Sequence, residues 1–186
     1  MDISLLILEL LIIGLFLLRN QLIDRLPDKY RKVYRNLISG MAFSIGKWYF
    51  TILIPILIIF VFYIGWVMYY SLFLNIFPRF PINDPLPIYI ITYVIVGPIA
   101  EQILQCLYLS MVCFATENKS IIFLSMMAIA AFFAILHYNT GIESVMLRFV
   151  LFMVYGLLYY LNDKNMLPSM VAHSSWNFFV ITPLFY

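Results

Sequence analysis

Charge is what this sequence has least of. Asp, Glu, Lys and Arg make up 11% of its 186 residues against 65% hydrophobic ones, and the mean hydropathy is +0.99. Such a chain lacks the polar face that a soluble domain shows to water. Cysteine is limited to Cys106 and Cys113, with no Cys-x-x-Cys. One heptad apart in one helix, they share a face but cannot bond to each other, and they read as free thiols packed as small apolar groups. There is no Gly-x-Ser-x-Gly elbow and no His-Glu-x-x-His helix, the usual signatures of a serine hydrolase and a zinc protease. The apolar N-terminal run has no basic residues before it and no small-residue cleavage site after it, so it reads as a retained span rather than a signal peptide. No internal repeat or low-complexity tract is visible.

What remains is apolar helix. The expected fold is an all-α polytopic transmembrane bundle of about six spans, each of about 20 residues, forming a single membrane-embedded domain over residues 1–186. Seven of the eleven Lys and Arg lie between Arg19 and Lys47. That clustering is a topology signal marking the cytoplasmic side, not a nucleic-acid footprint. The span before it runs over about Ile3–Leu18, with Glu9 turned to the bundle or the surface. The basic stretch reads first as a solvated loop, with an interfacial amphipathic helix against membrane lipid as the alternative. Further spans follow at about Tyr49–Phe73, Ile88–Val112, Ile121–His137, Val145–Leu161 and Met166–Phe185. Four prolines make Asn75–Pro87 an outer loop. Tyr138–Ser144 forms the next outer turn. Both termini then fall outside. Arg148, near the outer end of its span, either snorkels or pairs inside the bundle.

Polar side chains are costly at membrane depth, so the few present carry the information. Glu101 lies midway along its span and must be neutral, paired or facing a wet cavity. His137 and His173 are the only histidines; each alone reads as a helix-to-helix hydrogen bonder. Asn177 follows His173 by four residues and so shares its helix face. One shared site explains all four at once, and its chemistry would be amide hydrolysis. Glu101 takes a proton from water that His137 holds, and His173 with Asn177 offer N–H groups to the carbonyl oxygen. No cofactor is favoured. A zinc set of Glu101, His137 and His173 stays open as the metal-dependent version. By residue counting, His137 falls near the outer end of its span and Glu101 in the middle of another, so a common site requires tilt or a shifted boundary.

Three motifs then stand in order. Pro98-Ile99-Ala100-Glu101-Gln102-Ile103-Leu104-Gln105-Cys106 matches Pro-x-x-Glu-Glu-x-x-x-Arg; Phe133 to His137 matches Phe-x-x-x-His; His173 to Asn177 matches His-x-x-x-Asn. In these the chain resembles the CPBP family, the membrane-embedded CAAX endopeptidases and bacteriocin-processing or immunity proteins. The resemblance implies a CAAX-protease-like core over about residues 88–186, with Glu101 as general base, His137 its partner on the water, and His173 with Asn177 binding the oxyanion. Gln102, Gln105, Cys106 and Phe133 are the supporting positions. Gln102 and Cys106 replace the family's second Glu and its Arg. Four apart on one helix, those two family residues can form an i to i+4 ion pair, so their joint replacement leaves no stranded charge. The resemblance further implies a peptide or protein substrate, no nucleic acid, and a multi-pass place in a bacterial plasma membrane. The competing reading is a catalytically degenerate immunity or partner-binding protein. A small transporter subunit is third, without the paired broken helices that would support it. The oligomeric state is not legible.

Overall fold

A computed structural model describes residues 3–39, 41, 43–74, 86–138 and 141–181. The proline-rich loop up to Pro85, the middle of the turn after Tyr138 and the end of the last expected span lie outside the described residues. The chain forms α1 (Ile3–Asp24), α2 (Asp28–Ser39), α3 (Ile54–Tyr69), α4 (Leu86–Tyr89), α5 (Gly97–Ala115), α6 (Lys119–Leu136), α7 (Ile142–Leu161) and α8 (Leu167–Ile181). Wider π-helical stretches flank α3 at Tyr49–Leu53 and Tyr70–Leu74, and another, Ile90–Val96, joins α4 to α5 in one long rod.

Two boundaries differ from the sequence reading. α1 continues past Leu18 to Asp24 because Arg19 does not need to leave it. Its guanidinium folds back to donate to the Phe16 carbonyl at 2.7 Å and lies over the Phe16 ring, which is how a long cation stays on an apolar helix. The basic stretch, read first as a loop with an amphipathic helix as the alternative, contains a helix, α2, braced by Arg35 to Asp24 at 2.7 Å and Arg31 to Asp28 at 3.0 Å.

Among the described residues, five helical segments are long and apolar enough to cross a membrane: Leu6–Asp24, Tyr49–Leu72, Pro87–Ala115, Lys119–Leu136 and Ile142–Leu161. The sixth expected span is described over 15 residues as α8, which starts within a residue of the expected Met166, while its expected end lies outside the described residues. The turn before it is closely held. Asp163 and Lys164 both adopt left-handed backbone angles, folding the chain back sharply after α7. The Asn165 side chain then donates to the Ser44 carbonyl at 2.6 Å and accepts from the Ser44 amide at 3.2 Å. Met166 is fully buried, and Ser169 meets Cys106 of α5 at 3.7 Å. Cys106 lies roughly 14 Å from the end of α5 and Ser169 roughly 3 Å into α8, at 1.5 Å per residue. Thus α8 begins well inside the bundle, not at its edge.

The core of α5 to α8, joined by Ile59 of α3, forms two clusters. Ile59, Ala130, Phe133, Phe152, Tyr155 and Trp176 fill one part, and Ile103, Cys106, Leu109, Met126, Tyr159 and Met170 the other. α6 and α7 touch closely at Gly156, where an added Cβ would stand 2.8 Å from the Met126 side chain. Small residues at such crossings let helices approach when lipid offers no hydrophobic drive to pack.

Candidate active site

The site begins with a backbone irregularity. Pro98 has no N–H, and the Gly97 N–H bonds back five residues to the Thr92 carbonyl instead of four. The Tyr93 carbonyl therefore loses its usual partner, Gly97, and its next neighbour, Pro98, has nothing to donate. Asn177 of α8 fills that need: its Nδ2 donates to the Tyr93 carbonyl at 2.6 Å. The bulge also admits α1. Glu9 is buried against it, its Oε1 lying 3.4 Å from where a Cβ on Gly97 would be.

One turn beyond Pro98, Glu101 projects between two imidazoles. Its Oε1 is 3.8 Å from His137 Nε2 and its Oε2 is 3.7 Å from His173 Nε2. The depth mismatch expected from counting disappears when depth is measured from the short Thr116–Asn118 link. Glu101 lies roughly 21 Å up α5 and His137 roughly 27 Å up α6, at 1.5 Å per residue. The α4–α5 rod, whose apolar segment is 29 residues, simply extends beyond the end of α6; at roughly 43 Å it exceeds the hydrocarbon thickness and must tilt or protrude.

The two rings show the carboxylate opposite polarities. His137 ends α6, and its Nδ1 lies 2.8 Å from the Phe133 carbonyl. A carbonyl only accepts, so Nδ1 carries the proton and Nε2, in the neutral ring, presents its lone pair to Glu101. The same bond caps one of the carbonyls that every helix end leaves open. His173 Nδ1 instead receives the Gln102 amide Nε2 at 3.2 Å, which leaves Nε2–H pointing at Glu101. Gln102 is buried and its Oε1 has no partner among the described residues. Accessibility differs likewise: the side chains of His137 and Glu101 are 25% and 26% exposed, that of His173 6%. The carboxylate and one ring thus line an opening, with the second ring behind.

The supporting positions fall into place around these. Gln105 ties α5 to α7 by donating to the Phe152 carbonyl at 2.8 Å. Phe133 supplies both the carbonyl that orients His137 and a ring stacked 4.9 Å from Phe152. The two positions that depart from the family pattern both reach α8, Gln102 at His173 and Cys106 at Ser169. These are matching four-residue steps on antiparallel helices, neutral on both sides. Two residues of α7 that pack on the imidazoles escaped the sequence reading. Phe152 packs against both imidazoles at 5.4 and 6.3 Å, and Tyr155 stacks on His173 at 4.8 Å. Arg148, one turn before Phe152 on α7, bonds to Ser144 of its own helix at 3.3 Å. The spacing of Phe152 and Tyr155 was the available signal, since residues 152 and 155 share one helix face. Glu101, His137 and His173 supply zinc-type donors, but no group of three His, Cys, Asp or Glu among the described residues has ligand geometry.

A family model, type II CAAX prenyl endopeptidase Rce1-like, matches residues 83–179, a little over half of the chain. The chain belongs to this family. The match runs through all three motifs and the helices that carry them, α5, α6 and α8. No curated protein and no solved structure matches the chain. Membership in the Rce1-like family, together with the five apolar helices, makes this an integral membrane protein with an all-α, CAAX-protease-like bundle, in a family of intramembrane proteases.

Proposed function

We propose that the protein is an intramembrane endopeptidase that hydrolyses a peptide bond in a peptide or in the membrane-proximal segment of a protein. The observation that carries this reading is the pairing of Glu101 with a lone pair on one side and an N–H on the other. Two acceptors 3.8 Å apart leave room for one water to reach both at about 2.8 Å. Glu101 takes a proton from that water while His137 Nε2 holds its other hydrogen. The water oxygen bonds to the substrate carbonyl carbon, whose oxygen takes the displaced electron pair and accepts from His173 Nε2–H. Collapse reforms the carbonyl and breaks the C–N bond, and the departing amine takes the proton that Glu101 carried. A bacterial plasma membrane is the setting we assign, with peptide maturation, bacteriocin processing or self-immunity as the context.

One observation favours a second reading. Gln102 and Cys106 remove both charges of the family's supporting pair, which fits a degenerate member that binds a peptide without cutting it. The full chain in liposomes, incubated with a peptide library with and without C-terminal prenyl-cysteine, separates the two by mass spectrometry of the products. Cleavage by the wild type that falls about a thousandfold in Glu101→Gln supports the enzyme. A wild type that cuts nothing, or a Glu101→Gln variant that cuts equally well, leaves the binding role.

A further inference from the structure

Position 102 is where the chain departs from the family motif's second acid, and the change decides where a proton sits. Gln102 is fully buried, with its Nε2 3.2 Å from His173 Nδ1 and its Oε1 without a partner among the described residues. An amide can turn either end to a ring nitrogen, but the two choices differ in cost. With the NH2 on the ring, one N–H is used and the carbonyl oxygen goes without a donor. Turned round, both N–H groups go without an acceptor, and buried N–H groups are the ones least often left unpaired. The far side of the imidazole gives the same answer. Its Nε2 lies 3.7 Å from Glu101 Oε2, and a carboxylate only accepts, so the single proton of the neutral ring belongs on Nε2 and the lone pair on Nδ1. The ring is held against turning, with Tyr155 stacked on it at 4.8 Å and Phe152 meeting it edge-on at 5.4 Å.

Resting on the peptidase reading, we infer that Gln102 is a positioning residue that fixes the tautomer of His173, and that the family's glutamate cannot serve in its place here. The amide N–H holds the Nδ1 lone pair, which keeps the proton on Nε2, where the substrate's oxyanion is to be met. An ionised glutamate only accepts. It draws the proton of a neutral ring to Nδ1 and turns a second lone pair toward Glu101, beside the one that His137 already presents. The oxyanion then has no ring donor. With Cys106 one turn further along α5, no cation at that step of the helix face draws such a glutamate away from the ring. The two departures therefore belong together: losing the Arg makes a neutral donor at 102 necessary, and the amide supplies it.

The test reads the protons directly. The chain has only two histidines, so nitrogen NMR on full-length protein in liposomes, with isotope-labelled histidine, shows two sets of ring nitrogens that a His137→Gln variant tells apart. At alkaline pH both rings are neutral and an added carboxyl is ionised. The wild type should carry the His173 proton on Nε2 and the His137 proton on Nδ1, and Gln102→Glu should move the first to Nδ1. On a library peptide that the wild type cleaves, Gln102→Glu should lower kcat about 100- to 1,000-fold at that pH, as loss of an oxyanion donor does. KM should change by less than about threefold, because the interaction exists only in the transition state. Gln102→Met keeps the bulk and removes the N–H without adding charge; it should cost about tenfold in kcat, the worth of one neutral hydrogen bond. The inference is overturned by Gln102→Glu with wild-type kcat, by a His173 spectrum that this variant leaves unchanged, or by a Gln102→Met loss as large as that of Gln102→Glu, which would make the position one of packing. A wild type that cleaves nothing overturns the peptidase reading and this role with it, whereas a cleaving wild type with its His173 proton on Nδ1 overturns the inference alone.

Discussion

Pro55 and Pro98 open α3 and α5 in the same way. Each follows a π-helical stretch in which the residue before the proline bonds five residues back, Ile54 to Tyr49 and Gly97 to Thr92. Each thereby takes the usual donor from one carbonyl, that of Phe50 in the first and of Tyr93 in the second. Phe50 is exposed, near the start of its helix, where nothing need be built around it. Tyr93 lies inside the α4–α5 rod, and Asn177 reaches across from α8 to satisfy it. Beyond Pro55 the chain is apolar, Ile-Leu-Ile-Ile-Phe; beyond Pro98 it is Ile-Ala-Glu-Gln. An irregular turn is therefore not a site by itself. It becomes a candidate where a neighbouring helix answers it and an acidic side chain, Glu101, follows within the next turn between two imidazoles.

Three substitutions press on that contrast. The largest effect is expected from Pro98→Ala, which returns an N–H to the chain and lets the bulge relax toward regular helix. A displacement of Glu101 by an ångström should cost about a hundredfold in kcat/KM, measured on a peptide that the wild type cleaves. Next, Asn177→Ala leaves the Tyr93 carbonyl without its side-chain donor. It should lower stability by about 1–3 kcal/mol, read as a lower midpoint of thermal unfolding in detergent. The smallest effect belongs to Pro55→Ala, for which kcat/KM should stay within about twofold, since no reactive group depends on that bulge. Equal losses from the two proline variants would erase the distinction between them.

The helices were legible because their apolar runs leave few other places for turns, and the site's members were legible because polar groups at that depth are so few. What escaped was whatever depends on rotation and depth. Phe152 and Tyr155 meet His173 because α7 turns their shared face toward α8; their spacing hints at one face, but an almost uniformly apolar helix does not reveal which neighbour that face meets. The tie between Asn177 and Tyr93 had a local cue, Gly97-Pro98, but the responding residue is 84 positions away. The apparent mismatch between Glu101 and His137 came from measuring each span from its own middle, whereas the short link between α5 and α6 is the shared origin. The start of the last span at about Met166 was legible, but nothing in Asn165 announces its bond to Ser44.

That bond has a wider consequence. Ser44 lies outside the 83–179 region that defines the family, yet it anchors the turn from which α8 springs, eight residues ahead of His173. The motif-bearing helices thus hold Glu101, His137 and His173 in a frame that they do not close alone. A change in the N-terminal third that breaks the Ser44–Asn165 bonds should shift α8, and His173 with it, without altering any motif residue.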